Sequence, residues 1–331
     1  MKLISIVTPC YNEEENIELL VERIRAVFVC LPQYRYEHIF IDNASSDATV
    51  EKIKVLASGD SRIKLIVNSR NFGHIRSPIH AILHAKGDAV VVMASDLQDP
   101  PELIPDFLQK WEAGFRIVIG VKPKSQEPLL FFLVRRIFYK TISKISETRL
   151  VQNYTGFGLY DRSVIEIVRE MDDPYPYFRG MISEIGFKHA EILFEQPRRK
   201  RGISKNNFYT LYDMAMLGIT THSKIPLRLA TMTGFILAFI SLMIAFGYFA
   251  AKLLWWDQFS LGMAPLIISL FFFASVQLFF IGILGEYIGS IHTQILKRPL
   301  VIETERVNFS DDHNIVPQDS VRTIKHDEAN L

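Results

Sequence analysis

Cysteine is almost missing from this chain: Cys10 and Cys30 are the only two among 331 residues. Cys10 falls at the end of a predicted buried strand and Cys30 at the end of a helix. Both read as packed, reduced thiols and not as a disulfide or metal pair, so the globular part is expected to face a reducing compartment. A surplus of charge is missing too. The net charge is +1, without the basic excess of a nucleic-acid protein. Met1 to Val7 reads as a short strand and has none of the features of a signal peptide. There is no Gly-x-Gly-x-x-Gly and no Walker loop, which disfavours a dinucleotide fold of the usual kind and a P-loop enzyme. Charge is also absent from two long runs, Leu229 to Ala251 and Gln258 to Gly285.

Among what is present, one stretch organises the rest. Ala89-Val90-Val91-Val92-Met93-Ala94 is a Val-rich apolar run, and Ser95-Asp96-Leu97-Gln98-Asp99-Pro100-Pro101-Glu102 follows it. It reads as a buried parallel strand that delivers oxygen ligands to its C-terminal end, where ligands bind in open α/β sheets. Such hard oxygens suit Mg²⁺ or Mn²⁺ shared with substrate phosphates. Asp99, followed by Pro100 at a first helical position and Glu102 at the third, fits a helix N-cap better than a ligand. Asp96 stands before that cap and reads as the ligand.

The chain before that stretch alternates strand and helix. Leu3 to Thr8 is a strand, and Asn12 is expected to cap a helix opened by Glu13-Glu14-Glu15. Tyr36 to Ile41 ends in Asp42-Asn43-Ala44-Ser45-Ser46-Asp47 and is followed by a helix over 49–56. Arg62 to Val67 is a third strand, and Ser77-Pro78 is expected to open the next helix. Leu103 to Trp111 is helical and Phe115 to Val121 is a further strand. Successive strand-helix units with short connections specify a parallel sheet covered on both faces. With no glycine cradle, its nucleotide phosphates would be neutralised by a metal.

Later segments change character. Over 127–147, Leu130, Val134, Ile137, Thr141 and Ile145 share one helical face and Arg136, Lys140 and Lys144 another. With Phe131, Phe132, Phe138 and Tyr139 this reads as an interfacial helix, each basic residue worth about 1 kcal/mol near an anionic membrane. Arg198-Arg199-Lys200-Arg201-Gly202-Ile203-Ser204-Lys205 reads as a flexible anion-binding loop. The two uncharged runs are each long enough to cross a hydrocarbon core of about 30 Å. Lys224 and Arg228 precede the first and Lys297 and Arg298 follow the second, while Lys252 alone stands in the Trp255-Trp256 connector. This charge bias places both termini and the globular domain in the cytoplasm. The expected organisation is a globular domain over 1–200, a basic loop and juxtamembrane helix over 201–226, a two-span hairpin over 227–298 (spans about 229–251 and 259–285), and a polar tail over 299–331.

Five motifs occur in order: Thr8-Pro9-Cys10-Tyr11-Asn12-Glu13-Glu14-Glu15-Asn16-Ile17, Asp42-Asn43-Ala44-Ser45-Ser46-Asp47, Arg70-Asn71-Phe72-Gly73, Asp96-Leu97-Gln98-Asp99-Pro100-Pro101-Glu102, and Arg199-x-x-Gly202-x-Ser204-Lys205. With the two-span C-terminus they resemble the family-2 inverting glycosyltransferases of GT-A fold, over about residues 3 to 298. The nearest branch is similar to the polyprenyl-phosphate glycosyltransferases, among them bactoprenol glucosyltransferases and dolichol-phosphate mannose synthases. The resemblance implies a Rossmann-like, mainly parallel α/β domain carrying a transmembrane hairpin. It implies that Pro9, Tyr11, Glu13 and Asp42 hold the donor nucleoside. Asp96 and Gln98 would hold Mg²⁺ or Mn²⁺ on the diphosphate, Asp96 being the residue on which catalysis depends. Lys122, Arg199, Arg201, Ser204 and Lys205 would meet the acceptor phosphate. Ala94-Ser95-Asp96 stands where the family usually has Asp-x-Asp, and Asn43 replaces a common second Asp.

The reaction so implied is transfer of a hexose, glucose from UDP-glucose first, to undecaprenyl phosphate on the cytoplasmic face. A lipid phosphate is anionic at neutral pH, so attack needs no strong base, and positioning and electrostatics do the work. No base is therefore assigned, and His74 and His80 are read as structural. The partners are a UDP-hexose, a polyprenyl phosphate and the membrane, with no nucleic acid; self-association into a homo-oligomer is compatible with all of this. A processive polysaccharide synthase would need more spans and a Gln-x-x-Arg-Trp motif. Other donor sugars (mannose, aminoarabinose, N-acetylhexosamine) and a membrane-anchored nucleotide-sugar-binding scaffold without turnover are the alternatives.

Overall fold

The computed structural model describes residues 1–122, 154–195, 225–254, 263–296 and 298–309. The expected interfacial helix over 127–147, the basic loop with Arg199, Arg201, Ser204 and Lys205, the juxtamembrane segment up to 224, the Trp255-Trp256 connector and the tail from 310 lie outside them.

Eight strands form one sheet. In chain order they are β1 (Lys2–Cys10), β2 (Tyr34–Asp42), β3 (Ile63–Asn68), β4 (Ala89–Val92), β5 (Ile117–Val121), β6 (Tyr154–Asp161), β7 (His189–Leu193) and β8 (Glu303–Val307), arranged β7-β5-β6-β4-β1-β2-β3-β8. The centre is parallel: β1 pairs with β2 on one side and β4 on the other, and β2 pairs with β3. Strand order reverses between β4 and β2 about β1, so the C-terminal ends of these three strands form the crevice where open α/β sheets bind ligands. The sheet is mixed, however. β6 runs antiparallel between β4 and β5, and β8 runs antiparallel along β3.

Two apolar layers hold the sheet. Helices α1 (Ile17–Val29), α2 (Thr49–Gly59) and α4 (Ile104–Glu112) cover one face. On α1, Ile17, Leu20, Val21, Ile24 and Val27 are buried, the i, i+3, i+4, i+7 stripe of an amphipathic helix. Phe107 of α4 meets Phe157 edge-to-face at 4.9 Å between ring centres, and Phe157 meets Phe194 at 5.4 Å. Helices α3 (Gly73–His84), α5 (Arg162–Met171) and α6 (Phe178–Ile185) cover the other face through Ile79, Ile82, Val164, Val168 and Met181. Each of these fully buried side chains is worth about 1.5–3 kcal/mol. Gly158 lets β6 slide between β4 and β5, since a Cβ there would lie 2.4 Å from the Val118 carbonyl oxygen.

Several helix starts differ from expectation. The helix expected from Asn12 begins at Ile17, four residues after Glu13. The side chains and amides of 12–14 bond to the β2–α2 loop instead. Ser77-Pro78 does not open α3, which starts at Gly73 and carries Pro78 inside it. Ser77 is buried there and accepts a hydrogen bond from Asn68 Nδ2 at 2.9 Å. Asp99 caps no helix. Pro100 stands at the cap of the 3-10 turn Pro101–Leu103, and the Asp99 carboxylate accepts from the Ala94 N–H at 2.9 Å.

The C-terminal third holds two long helices, α7 (Ile225–Leu254) and α8 (Met263–Ile295), which touch one another. Their apolar side chains point outward: Phe235, Phe239, Leu270 and Phe279 are all more than 60% exposed. Among the described residues, Phe272–Ile295 is the stretch long and apolar enough to cross a membrane, and Leu227–Ser241 is a shorter apolar one. The polar tail expected from 299 starts later. Residues 303–307 form β8, which is clamped onto the domain. Lys54 pairs with Glu305 at 2.6 Å, and Asn308 Nδ2 donates to the carbonyls of Ala57 and Ile63, both at 2.8 Å. Glu303 pairs with His80 and Arg306, and Arg306 Nη2 donates to His84 Nε2 at 2.9 Å. Burial works to raise Glu303, but the bonds from Arg306 and His80 outweigh it and hold it at about 2.

Candidate active site

Three loops leave the crevice edge, one after each of β1, β2 and β4. Each contains a non-glycine residue with a left-handed backbone: Asn12 (φ 56°), Ala44 (φ 62°) and Leu97 (φ 61°). Such residues cost of order 1–3 kcal/mol each and gather at functional sites. The strain is over-determined by the bonds around it.

The first two loops are wired to each other. The Asn12 N–H donates to Ser45 Oγ at 2.9 Å, and Asn12 Oδ1 accepts from the Ser46 N–H at 2.8 Å. The Glu13 N–H donates to Thr49 Oγ1, and Glu14 Oε2 accepts from the Ala48 N–H, both at 2.9 Å. Asp42, fully buried at the end of β2, accepts from the Ser45 N–H at 2.8 Å and from the Ser45 hydroxyl. Burial pushes the Asp42 carboxyl up and the Ser45 bonds only partly offset it. Burial, with the Asp42 charge adding to it, pushes the neighbouring Cys10 thiol well above its ordinary value, so Cys10 is an inert, packed thiol.

Asn43 ties in a fourth segment. Its Nδ2 donates to Asn71 Oδ1 at 2.8 Å and to the Gly73 carbonyl at 3.2 Å, and its Oδ1 accepts from the Phe72 N–H at 2.8 Å and from Asn68 Nδ2 at 3.2 Å. A carboxylate at 43 would face two acceptors with nothing to donate. That is the physical reason for an amide here.

The third loop closes on itself. Asp96 Oδ1 accepts from the Gln98 N–H at 3.1 Å, and Asp99 closes the turn onto Ala94. Asp99 is buried, and burial pushes its carboxyl up to about 6, with the Asp96 charge adding to the rise and Lys122 opposing it. So the position that lacks a carboxylate at Ala94 has one delivered beside it from Asp99. Asp96 and Gln98 offer one carboxylate and one amide oxygen, a hard donor set that fits Mg²⁺ or Mn²⁺ completed by water and diphosphate. The only His/Glu group with ligand atoms within 4.8 Å among the described residues is His80, His84 and Glu303. It lies at the β8 edge, and the Arg306 guanidinium already bonds to His84 and Glu303.

The structure thus brings Pro9, Tyr11, Glu13 and Asp42 to one half of the crevice edge and Asp96, Gln98 and Lys122 to the other. Glu13 Oε2 accepts from Asn16 Nδ2 at 2.6 Å, so it also fastens its own loop. Missed from sequence were the loop-closing role of Asp99 and a cavity of about 260 Å³ behind the Asp96 loop, which His74 and Arg179 line. The cavity joins α3, the end of β4 and 176–179, three segments with no shared local signal. A larger hollow of about 720 Å³ lies at the opposite edge of the sheet, near the starts of β2 and β3. Three of its four cations are spent on ion pairs: Arg25 and Arg62 with Asp60, Lys64 with Glu37.

A family model described as Glycosyl transferase family 2 matches residues 5–168. A prophage-derived bactoprenol glucosyl transferase of Shigella flexneri is 35% identical over 300 residues, covering 90% of this chain and 96% of its own. An uncharacterized glycosyltransferase of Synechocystis sp. is 32% identical over 303 residues, covering 91% and 95%. Among solved structures, glucosyl-3-phosphoglycerate synthase of Mycobacterium tuberculosis, in complex with UDP, aligns with a TM-score of 0.43 at 18% identity, over 66% of this chain and 78% of that one.

Proposed function

That the chain belongs to glycosyl transferase family 2, and is a glycosyltransferase, is the premise from which we propose its reaction. It transfers a hexose, glucose from UDP-glucose, to the phosphate of a polyprenyl lipid at the cytoplasmic membrane face, with inversion. The observation that carries this reading is the end-to-end match to a bactoprenol glucosyl transferase: 96% of that protein aligns, so the helices after 225 are matched along with the sheet.

In this reading the wired half of the crevice, with Pro9, Tyr11, Glu13 and Asp42, holds the nucleoside, and preformed loops lower the entropy cost of binding it. Asp96 and Gln98 hold Mg²⁺ or Mn²⁺. Such an ion, when bound, neutralises the diphosphate as it departs. Lys122 at the end of β5, with Arg199, Arg201, Ser204 and Lys205, receives the acceptor phosphate. That phosphate is its own nucleophile, so these residues position it and take up no proton. α7 and α8 form the hairpin that keeps the domain at the bilayer, with Arg228 before and Arg298 after it on the cytoplasmic side.

The test is to incubate the purified full-length protein with labelled sugar nucleotides and short polyprenyl phosphates. Label is expected in the lipid phase from UDP-glucose, and chelator should abolish it. Tight donor binding without transfer would make the protein a scaffold; transfer from another donor would keep the reaction and replace the sugar.

A further inference from the structure

We propose that the cavity behind the Asp96 loop receives the sugar ring of the donor, and that Arg179 and His74 select which sugar enters. This rests on the nucleotide-sugar reading above and specifies its ligand. Pro9, at the end of β1, and Ala94, where the Asp96 loop begins, both line the cavity. A sugar attached to a diphosphate held at Asp96 therefore has this space next to it. A volume of about 260 Å³ equals roughly nine waters at about 30 Å³ each. That accommodates one pyranose ring and is too small for a nucleotide.

The lining suits a sugar in kind as well as size. The face of α3 that walls the cavity is apolar, as the C–H faces of a pyranose require, and a few polar groups break into it: His74, Asp99 and Arg179. An apolar wall with few directional groups is the usual make-up of a selective small-molecule pocket. Among the described residues the Arg179 guanidinium makes one hydrogen bond, Nη1 to the Tyr154 carbonyl at 3.3 Å, and lies 5.8 Å from the Tyr177 ring. It has five N–H donors in total, so one bond to the protein leaves donors for hydroxyls. Burial and the nearby Arg179 charge hold His74 below its ordinary value, so at neutral pH it is an uncharged imidazole. A neutral imidazole both donates and accepts, which matches a hydroxyl; a phosphate would be better served by the charged form. Asp99 adds a carboxyl on the same wall. Donors and acceptors together read the pattern of hydroxyls around a ring, and a site built on such bonds rejects a sugar that leaves them unpaired.

The experiment uses full-length protein in nanodiscs and three variants: Arg179→Gln, Arg179→Lys and His74→Phe. Binding of UDP alone is measured beside the KM for UDP-glucose, the KM for a short polyprenyl phosphate, and the relative kcat/KM for two epimeric UDP-hexoses. The expected result is UDP affinity within about twofold of the parent, a UDP-hexose KM raised about tenfold or more, and a changed epimer ratio. Arg179→Lys should recover part of the loss, and His74→Phe, which adds bulk without polarity, should behave like Arg179→Gln. Equal loss for UDP and UDP-hexose would overturn the assignment, since it would reflect the nucleoside half or the fold. A raised lipid KM with normal donor constants would hand the cavity to the acceptor and overturn it too. So would no change at all. If the parent protein binds no nucleotide sugar, the functional reading fails first, and the parent arm alone reveals it.

Discussion

The two halves of the crevice are built by opposite means. After β1 and β2, side chains and amides from 12–14 and 42–49 interlock across about thirty positions of sequence, and Asn43 extends the lattice to the Arg70–Gly73 loop. After β4, the Asp96 loop closes on itself through the Asp99–Ala94 bond and a bond from the Gln98 N–H to Asp96. Polar groups that are spent on one another make a rigid wall. Polar groups that gather like charge suit a cation: burial raises the Asp99 carboxyl and the Asp96 charge adds to the rise. One half of the crevice is architecture and the other is electrostatics.

The sharpest way to break that contrast is Asp96→Asn. It removes charge and little packing, so transfer should fall by about a hundredfold or more while the unfolding midpoint stays within about 1 °C. A comparable loss of stability would show the Asp96 loop to be architecture after all. Asn43→Asp should do the reverse. It sets a carboxylate against Asn71 Oδ1 and the Gly73 carbonyl, at a cost of about 2–4 kcal/mol in denaturant unfolding.

Ser45→Ala sharpens the contrast through pH. Asp42 already has a raised pKa in the folded protein, so its ionisation weakens the fold as pH climbs past the usual carboxylate range. Removing the Ser45 hydroxyl takes away one bond that favours the anion and raises the pKa further. The Asn12 N–H also loses its acceptor at every pH, so the variant should lie below the parent throughout, with the gap widening by about 1–2 kcal/mol from pH 4 to pH 8. A gap that is largest at low pH would reverse the sign and refute the account. The smallest effect is expected of Arg23→Ala, which cuts an exposed pair with Glu102 at 2.5 Å between α1 and the turn after the Asp96 loop. Its loss should cost under about 1 kcal/mol and leave transfer unchanged.

Most of the central sheet was legible because its signals are local: buried apolar runs of four to nine residues ending in polar loops. Partners were not. Glu13-Glu14-Glu15 has the composition of a first helical turn, yet those loops bond to residues more than thirty positions away, and helix spacing carries no trace of that. Asp99 has the neighbours of an N-cap, but the N–H it meets belongs to Ala94 behind it. β6 went unread because its meaning is tertiary; Gly158 looks like a strand breaker and serves as clearance against Val118. β8 is Glu303-Thr304-Glu305-Arg306-Val307, with almost nothing apolar to betray a strand. Its place comes from side-chain bonds to α2 and α3, across some 220–250 positions of sequence.

β8 also fixes a parity. It is hydrogen-bonded to β3, so the residues before α7 and those after α8 belong to one sheet and stand on one side of any bilayer. A path that leaves a compartment and returns to it crosses the boundary an even number of times. Were the helices over 225–254 and 263–295 set in a bilayer, they would have to leave the domain's side and return to it, and the apolar stretch Phe272–Ile295 would not cross alone. The order of events in synthesis follows from the same count. The edge beside β3 stays open until β8 has been made, so the sheet becomes complete only after the helices over 225–254 and 263–295 have been synthesised.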